Sequence, residues 1–214
     1  MHRIGYLITE GFQIMGLATQ TVFEVANLVA GEAFYRVQNF SVGGGMVRSS
    51  LGMPIETLPL AAPGLADTWM VSGTLTPETP PADEVLACVQ GFVASARRTA
   101  GLCTGTFVLA QAGVLDNRRA TTHWAYAKAL RTLHPKVEVD DDRIFIIDGP
   151  VWTSAGMTAA LDMALAMVEK DLGAELASSV AHKLVMHQRR SGGQSQHSEL
   201  LALAPKSDRI QSAL

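Results

Sequence analysis

Residues 98–115 read RTAGLCTGTFVLAQAGVL, and the fold turns on how they are read. A short β-leaning run, Thr99–Leu102, meets a turn of small residues, and a helical run, Phe107–Ala112, follows directly. A strand that turns sharply into a helix holds its turn residue strained and exposed at the carboxyl edge of a sheet, and small flanking residues let the chains pass closely. Here Gly101-Leu102-Cys103-Thr104-Gly105 is the cysteine form of such an elbow. The N-terminus of the following helix would lower the thiol pKa and offer backbone N–H groups to an oxyanion. A packing cysteine between two glycines accounts for the same five residues equally well.

Outward from the elbow, strand and helix signals alternate, which predicts an α/β fold with a largely parallel sheet. Upstream, Ile4–Ile8 reads as a strand that runs into a turn near Gly11, and a helix follows over about 17–28 with Val22, Val25 and Leu28 on one face. Tyr35–Val42 is a second strand, Gly43–Gly45 a break, and short edge strands flank Gly52-Met53-Pro54, where proline suits an edge. Thr68–Gly73 is a further strand. A proline-rich loop then leads to a helix started by Pro81, Asp83 and Glu84, with Val85, Val89, Phe92, Val93 and Ala96 facing the core. Cys88 falls on that face and reads as an inert buried thiol.

Downstream, a strand at Ala120–Thr122 precedes a helix over Trp124–Leu133, and two β runs, Arg143–Asp148 and Pro150–Ser154, turn at Gly149. A long helix after Gly156 carries Met157, Ala160, Leu161, Ala164, Leu165 and Val168 in one stripe, and Gly173 allows a bend into a last helix ending near His187. From Gln188 onward the chain is polar, Gly/Ser-rich and broken by proline, which reads as a linker or extended tail.

The 214 residues bound one domain with a sizeable core, and 48% hydrophobic against 17% charged residues is a globular composition. Seventeen Lys+Arg against twenty Asp+Glu, mixed along the chain, argue against a dedicated nucleic-acid surface. Two cysteines make no disulfide framework, and no metal-ligand spacing is present, so neither a metal nor a cofactor is expected. The start MHRIGYLIT has no signal-peptide pattern, and the apolar stretch Leu161–Val168 is too short to span a bilayer. The expectation is a soluble, cytoplasmic protein without a membrane partner.

A nucleophilic thiol wants a base. Of the six histidines, His123 ends the strand-like ATT and precedes the Trp124 helix, which would bring it to the same sheet edge as Cys103; its plainer role is a helix cap, or packing under Trp124. His134 and His197 sit in turn or tail contexts, and His2, His182 and His187 read as solvated. Ser154, at another strand-to-helix junction, offers a hydroxyl or caps the long helix. Asp162 reads as a satisfied polar residue. Ligands of open α/β sheets bind beyond the carboxyl ends of the strands, so Gly73, Cys103 with Thr104, His123 with Trp124, and Ser154 are expected to share one ligand pocket.

These residues resemble the DJ-1/PfpI superfamily, with its class I glutamine amidotransferase-like fold, from about Arg3 to His187. The runs GLCTGTFVLAQAGVLDNRRATTHW, VWTSAGMTAALDMALAMVEKDLG and RRSGGQSQHS are similar to the N-terminal domain of AraC-type transcription regulators of the GlxA kind. That resemblance implies a flavodoxin-like three-layer sandwich, a mostly parallel sheet with helices on both faces, over 1–187. Residues 188–214 would lead toward a C-terminal helix-turn-helix domain that this sequence does not reach. It also implies a sensor of an unknown small-molecule metabolite, a homodimer, and DNA contact only through that missing domain. The alternative is a cysteine-dependent hydrolase or hydratase resembling isocyanide hydratases. Those enzymes carry an aspartate where this chain has Gly16, within Phe12–Gln20, and Glu10 and Glu24 are the nearest carboxylates. The departure leans against an enzyme without deciding it: Cys103 and His123 stand as candidate catalytic residues, working or vestigial.

Overall fold

The computed structural model of the chain describes residues 1–62, 64–186 and 189–196. The first strand, β1 (His2–Leu7), is buried along nearly its whole length because it lies at the middle of an eight-stranded sheet. After a short 3-10 turn, Ile14–Ala18, helix α1 (Thr19–Ala30) ends where Gly31 takes a left-handed φ of 71°. Then come β2 (Tyr35–Ser41), the hairpin β3 (Gly45–Arg48) and β4 (Pro54–Pro59), β5 (Thr68–Val71) and α2 (Asp83–Val93), whose first turn carries Asp83 and Glu84 as its dipole favours. The elbow joins β6 (Arg98–Leu102) to α3 (Gly105–Gln111). Next are β7 (Arg119–Ala120), α4 (Trp124–Leu133), β8 (Glu138–Val139), β9 (Phe145–Asp148), β10 (Val151–Ser154), α5 (Met157–Leu172) and α6 (Ala174–Lys183).

The sheet runs β3-β4-β2-β1-β5-β6-β10-β9. Its six inner strands are parallel, and the edge strands β3 and β9 are antiparallel to their neighbours. Alternation along the strands splits the core in two. Ile4 and Tyr6 of β1, with Met70, Ala100 and Trp152, face α1, α5 and α6. Leu7, Trp69 and Val71 face α2, α3 and α4 on the other side. The result is the expected three-layer α/β/α sandwich.

Several local expectations change. Leu28 is 67% exposed; the inward face of α1 is Val22, Phe23 and Ala26, because at 3.6 residues per turn Leu28 falls on the far side of the helix from Ala26. Cys88 is only half-buried. His2 is buried, not solvated: its Nε2 lies 2.8 Å from Thr68 Oγ1 and 3.3 Å from an Arg98 nitrogen, in a polar cluster that also holds Asp171 and Tyr35. The strand expected at Ala120–Thr122 shrinks to β7, paired with β8 outside the main sheet, because β10 occupies the place beside β6. Helix α6 ends at Lys183; His187, Gln188 and the tail from His197 lie outside the described residues, so the boundary at 187 and the roles of those histidines do too. Residues 189–196 are docked on the domain rather than extended, held by polar contacts in keeping with their composition.

Candidate functional site

Cys103 has φ of 54°, a left-handed value that a non-glycine residue adopts only when the surroundings impose it. Close backbone crossings impose it here. A Cβ on Gly105 would overlap the Val71 carbonyl, a Cβ on Gly73 would fall 2.5 Å from the Gly105 nitrogen, and a Cβ on Gly101 would fall 3.0 Å from Thr106. The neighbours then tie the elbow down. The Cys103 N–H donates to Ser154 Oγ at 3.3 Å, Thr122 Oγ1 donates to the Cys103 carbonyl at 3.0 Å, and Thr104 Oγ1 donates to the Thr74 carbonyl at 2.7 Å. The strained elbow therefore exists, built by glycines just past β5, within β6 and at the start of α3.

Its electrostatics run against the expectation of an activated thiol. Cys103 is 4% exposed, and burial pushes its pKa up to about 11, outweighing the backbone N–H of Thr104 that favours the thiolate. His123 caps α4: its Nδ1 accepts the Ala125 N–H at 3.2 Å, and burial lowers its pKa below the ordinary 6.5. A neutral imidazole accepting at Nδ1 carries its proton on Nε2, so no lone pair is left to act as a base. At the position matched to the enzymes' aspartate, Gly16 is buried, and a Cβ there would meet Leu102 at 3.7 Å and Met157 at 3.9 Å.

The six residues expected to share a pocket separate into two groups. Gly73, Cys103, Thr104 and Ser154 are contiguous, and all four are buried. His123 and Trp124 instead line a smaller cavity of about 160 Å³, with Gly156 just before α5 and Arg190 and Gln196 of the docked segment. Trp124 is 55% exposed. The division follows from β7 leaving the main sheet, which carries His123 away from the row of strand ends.

A larger cleft, about 460 Å³, opens on the other side of the elbow, with Thr104 in its wall. It lies where strand order reverses, between β1, whose successors β2 and β4 go one way, and β5, which begins the other half. Such a switch point is where open α/β sheets bind ligands. Ile8, Thr9 and Glu10 follow β1, Val42 follows β2, and Thr74 follows β5; Pro77, Pro80, Phe107 and Val108 supply apolar wall. Among the described lining residues Glu10 alone is charged, and its carboxylate accepts the Arg48 N–H at 3.2 Å. Sequence reasoning placed the ligand around the elbow and missed this cleft. The available signal was Thr9 and Glu10 just past Ile8, together with the break at Gly43–Gly45 after β2 and the TPETPP loop. Among the described residues no group of three or more His, Cys, Asp or Glu side chains is placed to hold a metal ion. No helix among them is long and apolar enough to cross a membrane.

Comparison with known proteins adds the family context. The description of the DJ-1/PfpI family matches residues 3–170. The HTH-type transcriptional regulator GlxA of Rhizobium meliloti (strain 1021) is 33% identical over 184 residues, covering 85% of this chain and 56% of that protein. An AraC family transcriptional regulator from Pseudomonas putida superposes with a TM-score of 0.76 at 25% identity, covering 86% of this chain and 100% of that one. Isonitrile hydratase of Pseudomonas putida is 38% identical over a shorter 102 residues, 48% of this chain and 43% of the enzyme. The chain spans about half the length of the curated regulators it matches.

Proposed function

This chain belongs to the DJ-1/PfpI family, and on that premise we propose that it is the cytoplasmic, ligand-sensing and dimerising part of an AraC-type transcription regulator. The observation that carries the reading is the contrast at the elbow. The thiol is held neutral and the nearby imidazole is spent on a helix cap, while an open cleft lies beside them. Such a site is shaped to hold a molecule rather than to attack it. The ligand rests in the cleft against Thr104, with Gly73, Cys103 and Ser154 supporting that wall from behind, while His123 and Trp124 line the separate smaller cavity. Apolar walls, several threonines and one carboxylate suit a small neutral or positively charged metabolite with an apolar body. Such a ligand acts on transcription only through unequal affinity for two states of the regulator.

The test is a thermal-shift screen of small neutral and cationic metabolites on the wild type and on Val42→Trp, which fills the cleft from its rim. A ligand at about one hundred times its Kd adds about 2.7 kcal/mol and raises Tm by roughly 5–10 °C in a chain of this size. The shift is expected to vanish in Val42→Trp; a shift that persists there removes the cleft from the proposal. Light scattering of the purified chain checks the homodimer. The local identity to isonitrile hydratase supports a second reading, a cysteine-dependent hydratase. Turnover of an isocyanide that is lost in Cys103→Ala would establish it in place of the first.

A further inference from the structure

The segment Arg189–Gln196 is too polar to be held by apolar burial, yet it is seated at three points. The first is Asp162, midway along α5 with a side chain only 1% exposed. Its Oδ1 accepts the Arg190 N–H at 3.0 Å, and its Oδ2 accepts Arg190 Nε at 2.8 Å and lies 2.7 Å from Nη2. A buried carboxylate needs such a partner, and the guanidinium supplies it in forked geometry. The second point is backbone. Ile144 N–H donates to the Gln194 carbonyl at 3.0 Å and Gln196 N–H to the Asp142 carbonyl at 2.7 Å, with Arg143 opposite Ser195. The segment thereby adds a short antiparallel stretch just ahead of β9. Gly192 makes the approach possible, since a Cβ there would fall 2.5 Å from the Phe145 carbonyl.

The third point is the Gln196 carboxamide. Its oxygen accepts the Trp124 N–H at 3.0 Å, and its nitrogen donates to the Thr122 and Arg143 carbonyls at 3.0 and 3.1 Å. Thr122 is fully buried, and it is the residue whose hydroxyl donates to the Cys103 carbonyl at 3.0 Å. One residue therefore separates the elbow from the segment along a chain of hydrogen bonds. Beside it, Thr106 Oγ1 in the first turn of α3 donates to the Thr121 carbonyl at 3.0 Å. The loop Thr121–His123 has no regular pairing of its own; Thr121 is tied to Thr153 and Arg143, and Thr122 is held between the elbow on one side and Gln196 on the other.

We infer that Arg189–Gln196 is a clasp coupled to the elbow through Thr122 and Gln196, so that displacing the Cys103 carbonyl loosens the clasp and releasing the clasp loosens the elbow. The reciprocity is thermodynamic: two sites that share one element bias each other equally. Arg190 on Asp162 holds the near end, and Gln196 is the positioning residue that reads the elbow. This inference deepens the regulatory reading by naming the route out of the site. It rests only on contacts within this chain, and its test uses neither ligand nor DNA, so either can fail while the other stands.

The experiment follows two signals on the whole chain in a Cys88→Ala background: the rate of Cys103 alkylation by iodoacetamide, and hydrogen exchange at the Ile144 amide, which the clasp protects. Gln196→Ala is expected to raise both by about fivefold or more, the lower range of an allosteric coupling. Thr122→Val should do the same, Thr122→Ser should restore both rates, and the Thr122→Val/Gln196→Ala pair should fall short of the product of the singles. Arg190→Ala combined with Asp162→Asn, which leaves no buried carboxylate unpaired, opens the clasp at its other end and tests the coupling even if a Thr122 variant misfolds. Faster Ile144 exchange with unchanged Cys103 alkylation, in either clasp variant, overturns the coupling. So does a Gln196→Ala chain in which neither signal moves.

Discussion

At Cys103 two effects compete, and burial wins. The elbow sets the sulfur at a strained φ of 54° at a sheet edge, while the same close packing removes the solvent that would stabilise a thiolate. In a Cys88→Ala background the alkylation rate of Cys103 should therefore keep climbing through neutral and mildly alkaline pH, without a plateau until near the value of about 11. A plateau by about pH 8 would show a stabilised thiolate instead. His2 makes the opposite kind of prediction. Burial first, and then the Arg98 charge, hold it below the ordinary 6.5, so the unfolded chain takes up the proton more readily. The His2 share of stability is complete above about 6.5 and is lost as pH falls from there through the folded value. Thermal melts from about pH 7.5 to about pH 5 should show Tm falling, with a shallower slope in His2→Gln. Some slope remains in that variant, because His123 and His134 are lowered by burial with the same sign.

At the scale of elements, the elbow is a crossing of β5, β6 and α3 that only missing side chains permit. The Gly105 Cβ position is occupied by the backbone of Val71, which cannot rotate away as a side chain would. Gly105→Ala should then cost about 3 kcal/mol or more, beyond ordinary overpacking, and chemical denaturation will measure it. A loss under about 1 kcal/mol would mean that β5 and α3 can part without disturbing the sheet. The glycine pattern was legible in the sequence because close approach has a compositional signature. The site's second half was not. ATT looks like a strand at Ala120–Thr122, but the Thr121 N–H donates to Thr153 Oγ1, and the side chains and carbonyls of Thr121 and Thr122 are spent on Arg143, Cys103 and Gln196. Those partners lie 19 to 75 residues away, and no local propensity could reveal them.

For the molecule as a whole, one sheet serves two cores, with Trp152 buried in the first and Trp69 in the second, while Trp124 is 55% exposed. Because β1, β2, β5 and β10 each contribute to both cores, neither core is expected to melt alone. In each single-tryptophan variant, retaining only Trp69 or only Trp152, the fluorescence midpoint should coincide with the far-UV circular dichroism midpoint of that same variant, the signature of one cooperative unit. Separated midpoints would show that the layers unfold independently.

By itself the sequence determined the α/β alternation, the parallel sheet with helices on both faces, and the glycine-flanked elbow at Cys103. These depend on periodicity, turn residues and steric size, which are properties of short stretches of chain. Only the tertiary structure decided that the thiol is neutral, that His123 is turned to a helix cap, and that the large cleft opens past β1 and β2. It also decided that RRSGGQSQ folds back onto Asp162 and Thr122. Desolvation, cavity shape and long-range hydrogen bonding depend on which distant residues become neighbours, and that is settled by packing.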